Sequence, residues 1–202
     1  MTPWTPSLLP SLRRREDARA ASVLLGIPDA RYDPAMTSQP TGYAERRDGV
    51  LAIVVSRQIE ATIDDVWGWI TTPDKLEQWI GTWSGDPAQG VVDFLMLAEG
   101  ADKPEPMRVR TCVPPTTLHV TAESTMGHWL VNIDLEEASA RTTLSLTHLN
   151  VPADMLGAVG AGWEYYVDRL VAALRGDDVA AIDFEADYFP ALADRFSIPP
   201  EG

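Results

Sequence analysis

Cysteine is nearly absent from this sequence: Cys112 stands alone among 202 residues. A single thiol excludes an internal disulfide and any cysteine-based metal cluster. Histidine is scarce as well, with 3 in the chain. His119, His128 and His148 fall on separate predicted segments, with no H-x-H or H-x-x-x-H spacing. The sequence therefore offers no metal site and requires no cofactor. Basic residues are few: 16 Lys+Arg against 30 Asp+Glu give a formal charge of −14. Such a surface repels phosphate backbones and anionic lipid, which argues against nucleic acid and against stable membrane association. No run approaches the roughly 18 uninterrupted apolar residues of a membrane span. No export signal is legible, because Leu8 and Leu9 sit between prolines and Arg13 to Arg15 follow them. The cytoplasm is the expected compartment. There is no Gly-x-Ser-x-Gly, no phosphate-binding glycine loop and no dinucleotide fingerprint, so no catalytic residue is assigned.

What is present is a globular composition, 45% hydrophobic and 23% charged. Residues 1–45 differ from the rest. Pro3, Pro6, Pro10, Pro28, Pro34 and Pro40 break them every few positions, and each proline removes a donor and restricts its neighbour. They read as a disordered leader. The compact domain is expected over 49–176, starting near Gly49. Val50 to Ile59 is rich in β-branched residues and predicts a strand. Thr62 with Asp65 resembles a capping box opening a helix at about 63–71. Thr72-Pro73 opens a second, carrying Leu76 and Trp79 and ending at Gly81.

Strand-like segments then follow at Val91–Leu97, Met107–Val113, Leu118–Ser124, Trp129–Leu135 and Thr142–Leu149. Short turns between them predict an antiparallel meander. The expected register sets Val113 opposite Leu118, Ser124 opposite Trp129 and Leu135 opposite Thr142. One face then collects Val109, Val120, Ala122, Val131, Ile133, Leu144 and Leu146. The other collects Arg108, Arg110, Cys112, His119, Asn132 and Asp134. Ala153 to Leu174 predicts one long helix. Its apolar stripe is Leu156, Val159, Trp163, Tyr166, Val167, Leu170 and Leu174, with Glu164, Asp168 and Arg169 off it. Gly157, Gly160 and Gly162 read either as close packing on the sheet or as a flexible gate. Residues 177–202 form an acidic extension. Its aromatics, Phe184, Tyr188, Phe189 and Phe196, predict docking at least over 183–196. The whole is an α+β fold, a curved antiparallel sheet of about six strands around a long C-terminal helix, with two short helices after the first strand.

This order resembles the START-like (SRPBCC) superfamily, with its helix-grip fold. Three pieces of wording are similar to the C-terminal domain of the activator of heat-shock protein 90 ATPase. They are Arg57-Gln58-Ile59-Glu60-Ala61 through Val66-Trp67, Thr72-Pro73-Asp74-Lys75-Leu76 through Trp79-Ile80-Gly81, and Gly162-Trp163-Glu164-Tyr165-Tyr166 with Asp168-Arg169-Leu170. Residues around Asp187-Tyr188-Phe189-Pro190 resemble an extension found in some bacterial members. The resemblance implies a deep pocket between sheet and helix for a small apolar or amphipathic molecule. It does not imply one activity, since members include lipid carriers, hormone receptors, polyketide cyclases and chaperone regulators. The chaperone activators also carry a separate N-terminal domain that a proline-broken leader does not supply.

On that frame Phe94, Met96, Val109, Trp129, Leu146, His148, Trp163 and Tyr166 line the cavity. Trp79 and Trp83 flank Gly81 as a hinge at the pocket mouth. His148 falls on the dry face, cross-strand from Trp129, and is open to two readings. It is either a core histidine bonded to backbone or a polar anchor for a ligand head group. His119 reads as a surface pair with Asp134, and His128 as an exposed turn residue. The function expected is small-molecule binding. A cyclase or hydratase acting through His148 or Tyr166, and a regulator of a partner protein, stand as alternatives. No protein partner is named, and a monomer or weak dimer is expected.

Overall fold

The computed structural model describes residues 39–124 and 127–198. Its described residues form an antiparallel sheet of eight strands. These are β1 Tyr43–Arg47, β2 Val50–Ile59, β3 Thr82–Ser84, β4 Val91–Leu95, β5 Glu105–Val113, β6 Thr117–Ser124, β7 Gly127–Ala138 and β8 Arg141–Leu149. Across the sheet they run β1-β2-β8-β7-β6-β5-β4-β3. Helices α1 (Ile63–Thr71) and α2 (Pro73–Leu76) follow β2. The long helix α3, Leu156–Arg175, follows β8, and a short α4, Phe184–Asp187, lies beyond it. The architecture is the α+β helix grip, with eight strands instead of about six.

The two additional strands have separate causes. β1 begins inside the stretch that reads as a leader, so the sheet starts at Tyr43 and not near Gly49. Its hairpin to β2 turns at Asp48-Gly49, both at positive φ (50° and 84°), the geometry that an Asp-Gly pair favours. Residues 1–38 lie outside the described residues. β3 has 3 residues, too few to show alternation.

The meander's register differs from the expected one by two residues. Ala122 pairs with Trp129, Val131 with His148 and Leu135 with Leu144. The strands run further into the connections than their turn residues suggest. Pairing reaches Ser124 opposite Gly127, and Ala138 opposite Arg141. The β7–β8 turn is Ser139-Ala140, both at positive φ (54° and 60°), with no glycine or asparagine to announce it. A shift of two residues keeps every side chain on its face. The exception is β5, where the register to β6 changes between Val109 and Thr111. This bulge turns Cys112 over to pair with Leu118 on the dry face, away from the Arg108/Arg110 face expected for it.

Helix α3 is buried on two sides, not one. Its stripe packs on the sheet through Leu156, Tyr166, Val167 and Leu170. Glu164 and Asp168, expected off that stripe, are 0% and 8% exposed. The chain after α3 covers them. Tyr188 and Phe196 are buried, and Phe196 comes from a 3-10 turn at Ala193–Phe196. Gly160 gives that ring its room: a Cβ there would stand 2.2 Å from Phe196 Cγ. At Gly157 the neighbour is Ala193, at 3.1 Å. These two glycines admit the C-terminal segment, not the sheet, and both are closely packed against it.

Arg57 of β2, 2% exposed, meets both carboxylates. Its Nη2 donates to Glu164 Oε2 at 2.5 Å and to Asp168 Oδ1 at 2.9 Å, and its Nε donates to Asp168 Oδ1 at 3.1 Å. Gly42 N–H donates to Glu164 Oε1, and Tyr188 O–H donates to Asp168 Oδ2 at 2.8 Å. Burial works against the guanidinium's charge, but Asp168 and Glu164 outweigh it and raise its pKa above the usual value.

Two outcomes test this packing. Gly162, where an added Cβ would meet no atom within 4 Å, should accept alanine. Gly162→Ala should gain about 1 kcal/mol of helix propensity and a few degrees of melting temperature. Gly160→Ala should lose stability despite the same propensity gain; equal responses from the two variants would refute the packing. Arg57→Met, which leaves two buried carboxylates without their cation, should cost about 3–5 kcal/mol in urea unfolding. A loss below about 1 kcal/mol would show the network to be solvated.

Candidate functional site

Strands β2, β8 and β7 rest on α3, and their inward residues Val55, Leu144 and Val131 are buried. Further along the sheet the inward residues Val109, Val120 and Ala122 are only half-buried. There the sheet curves away from the helix, and α1 and α2 close the remaining side. The space left is a cavity of about 810 Å³. Trp67, Ile70 and Trp79 line it from the helical segment, Phe94 and Val109 from the strands, and Trp163 from α3. Its walls are apolar except near one border, where Glu99, Asp102, Lys103 and Glu105 stand.

The ten sequence-derived residues divide between this cavity and a second recess. Trp79, Trp83, Phe94, Met96, Val109, Trp129, Leu146 and Trp163 line the main cavity. His148 and Tyr166 line the recess, of about 200 Å³, which shares Met96, Glu99, Trp129 and Trp163 with it. Trp79 and Trp83 flank Gly81 from anchored positions. Their indole N–H groups donate to Trp69 O at 3.0 Å and Thr71 O at 2.8 Å. Gly81 between them is a close-approach glycine: a Cβ there would stand 2.2 Å from Leu95 O. Arg169 of α3 holds the same segment by donating from Nε to Trp79 O at 2.7 Å.

His148 is 4% exposed and pairs across strands with Ile53 and Val131, not with Trp129. Trp129 lies on the diagonal and stacks on its ring, centroids 4.8 Å apart. The hydrogen-bond partner is a side chain and not backbone: Trp163 Nε1–H donates to His148 Nδ1 at 3.1 Å. Burial, with a contribution from the charge on His128, lowers the His148 pKa to about 4. His128 is an exposed strand residue whose Nδ1 lies 2.9 Å from Glu123 Oε1. His119 bonds Asp134 across the wet face at 3.1 Å.

Tyr166 O–H donates to Glu99 Oε1 at 2.9 Å. Burial, then the neighbouring Glu99 carboxylate, drive the phenol's pKa far up, so it remains a donor. Sequence reasoning missed Glu99. It sits in a 3-10 turn at Leu97–Glu99, directly after a segment with strand composition, and 67 positions separate it from Tyr166. Cys112 also lines the main cavity, through the β5 bulge. Among the described residues no group of 3 or more His, Cys, Asp or Glu side chains could hold a metal ion. No helix among them is long and apolar enough to cross a membrane.

The His148 environment has a pH signature. An unfolded histidine takes up its proton near pH 6.5, whereas folded His148 refuses it until about pH 4. Between those values the unfolded state binds more protons, so stability should fall as pH drops through the window and level off below it. The share due to His148 is about 3 kcal/mol. Urea unfolding from pH 7 to pH 4 should show that His148→Phe removes this share of the slope. Parallel curves for the two proteins would place the titration elsewhere.

Comparison with known proteins agrees with this geometry. The family model described as Activator of Hsp90 ATPase homolog 1-like protein matches residues 60–175. No curated protein matches the sequence. Among solved structures, CalU16 from Micromonospora echinospora is 24% identical with a TM-score of 0.61, over 77% of this chain and 96% of that one. EF2215 from Enterococcus faecalis, a conserved protein of unknown function, is 21% identical with a TM-score of 0.58, over 76% of this chain and 86% of that one. A protein from Arthrobacter aurescens is 16% identical with a TM-score of 0.53, over 68% and 93%. At such identities these likenesses show the fold. The family match runs from the end of β2 through α3 over more than half of the chain, and the chain belongs to the Activator of Hsp90 ATPase homolog 1-like protein family, within the START-like superfamily.

Proposed function

We propose that the chain binds an apolar or amphipathic small molecule between the sheet and α3. The observation that carries this is the cavity of about 810 Å³ with apolar walls. Protein interiors are normally packed with few voids larger than a water molecule. A volume of this size falls in the range of about 300–1,000 Å³ common to ligand sites. Trp79, Trp83, Trp129 and Trp163 supply rigid aromatic surface in its walls.

A second reading, a cyclase or hydratase, is favoured by one observation, the Tyr166–Glu99 pair where recess and cavity join. In that reading Glu99 accepts a proton and Tyr166 positions the carboxylate. Tyr166 itself is a poor base, because burial holds its proton on. His148, neutral at pH 7, would act only on a strong acid. A role on a partner chaperone rests on the family's name, and no feature of this site favours it.

Tryptophan emission tests the binding reading. A panel from naphthalene to long-chain alcohols should give saturable emission changes, and Trp163→Ala should remove most of the change. Ala122→Phe, which places a ring inside the cavity wall, should weaken binding by roughly tenfold or more while the protein stays folded. No saturable response across the panel would sink the proposal.

A further inference from the structure

We propose that the recess beside the main cavity selects the ligand's head group, a neutral hydroxyl of an alcohol or phenol, in preference to a carboxylate. The proposal rests on the binding reading above and adds what the polar end of the ligand must be.

The reasoning starts from the Trp163–His148 hydrogen bond. An indole N–H can only donate, so His148 Nδ1 at 3.1 Å must be the acceptor and carries no proton. The buried ring is neutral at pH 7, its pKa being near 4. Its one proton is therefore on Nε2. No described residue accepts from that Nε2–H, and His148 stands in the wall of the recess. A residue 4% exposed on that wall thus carries a donor with no acceptor among the described residues. A buried donor left unpaired is costly, and a ligand acceptor would pair it.

The second polar group is Glu99. One of its oxygens accepts from Tyr166 O–H at 2.9 Å. An ionised carboxylate has about four acceptor sites and no proton, so it can accept again. Glu99 and His148 line the same recess of about 200 Å³. That is room for roughly six water-sized volumes of about 30 Å³ each, enough for a hydroxyl and the carbons next to it. The other polar residues on its wall are His128 and Asn150. His128 is committed elsewhere, with Nδ1 2.9 Å from Glu123 Oε1 and Nε2 3.4 Å from Thr121 Oγ1.

The pair asks for a group that both donates and accepts. A hydroxyl does so: its proton goes to Glu99 and its lone pair takes the His148 N–H. A carboxylate cannot donate to Glu99, and it meets like charge there. The main cavity's border repeats the sign, with Asp102 and Glu105 against the single cation Lys103. An ammonium satisfies Glu99 but has no lone pair for His148. Polar sites built this way discriminate strongly against analogues that lack the matching group.

Calorimetry at pH 7 with three probes of one ring system tests this: naphthalene, 2-naphthol and 2-naphthoate. The expected order is 2-naphthol about tenfold tighter than naphthalene, with 2-naphthoate weakest. His148→Phe should bring 2-naphthol down to the level that naphthalene shows in the same variant. Glu99→Gln, at an exposed turn, should narrow the gap between 2-naphthol and 2-naphthoate. No binding of naphthalene to the wild-type protein would overturn the cavity reading and this one with it. Naphthalene binding with 2-naphthol no tighter than 2-naphthoate would overturn the head-group proposal alone. So would an unchanged order in both variants.

Discussion

The buried meeting of Arg57 with Glu164 and Asp168 is the constraint on which the rest of the structure depends. One cation and two anions leave a net negative charge at a site where all three side chains are at most 8% exposed. Such a charge persists in a low-dielectric interior only if donors surround it. The donors come from far apart in the chain: Gly42 before β1, Arg57 in β2 and Tyr188 beyond α3. Satisfying two carboxylates on one helix face therefore brings both flanks of the domain to the same place. Arg195 extends the closure by donating to Gly42 O at 2.7 Å. An apolar patch could pack against many surfaces; carboxylate lone pairs accept only where donors are aimed.

That clamp sets the position of α3 and so the shape of the cavity on its other side. The helix cannot move toward the sheet to fill the space. Its distance from the sheet is fixed by the carboxylates on Arg57 of β2, and its outer side by Phe196 lying over Gly160, where a Cβ would meet Cγ at 2.2 Å. Nor can the helical roof settle inward freely, because Arg169 holds Trp79 O and Trp83 holds Thr71 O. The void is thus held open from both sides by hydrogen bonds and packing outside it. Fixed walls of this kind lower the ordering cost that a ligand must overcome.

The degree to which this was legible in the sequence follows from the range of each interaction. Val50–Ile59 was readable because ten residues of strand composition stand together. The dry face was readable because a two-residue error in register leaves alternation intact. The apolar cavity residues follow from that alternation, which is why Phe94, Val109, Trp129 and Leu146 are where the pattern puts them. Cys112 escaped it because a single bulge inverts alternation, and nothing in Arg108–Cys112 marks one. Asp48-Gly49 did carry a hairpin signal, and β1 follows from it; the proline-rich stretch upstream drew the boundary too late. Glu164 and Asp168 read only as lying off the apolar stripe because helical periodicity describes one buried face, and their partner Arg57 is 107 and 111 positions away. Glu99 is the same case, a turn carboxylate given meaning only by Tyr166.

The overall charge and the local site then point the same way. A protein of net charge −14 repels anions at long range, with a reach of about 8–10 Å in physiological salt. The cavity's exposed border keeps that sign through Asp102 and Glu105, so an anionic ligand is opposed on approach. Deeper in, aromatic and aliphatic walls offer nothing to an anion, and desolvating an ion there costs far more than desolvating a hydroxyl. In the adjoining recess the neutral His148 ring adds no positive charge to recover that cost. Had burial not lowered its pKa, about a quarter of that ring would be charged at pH 7 and would return part of the cost to an anion. The selectivity of the pocket is therefore written less by which residues line it than by how deeply one of them is buried.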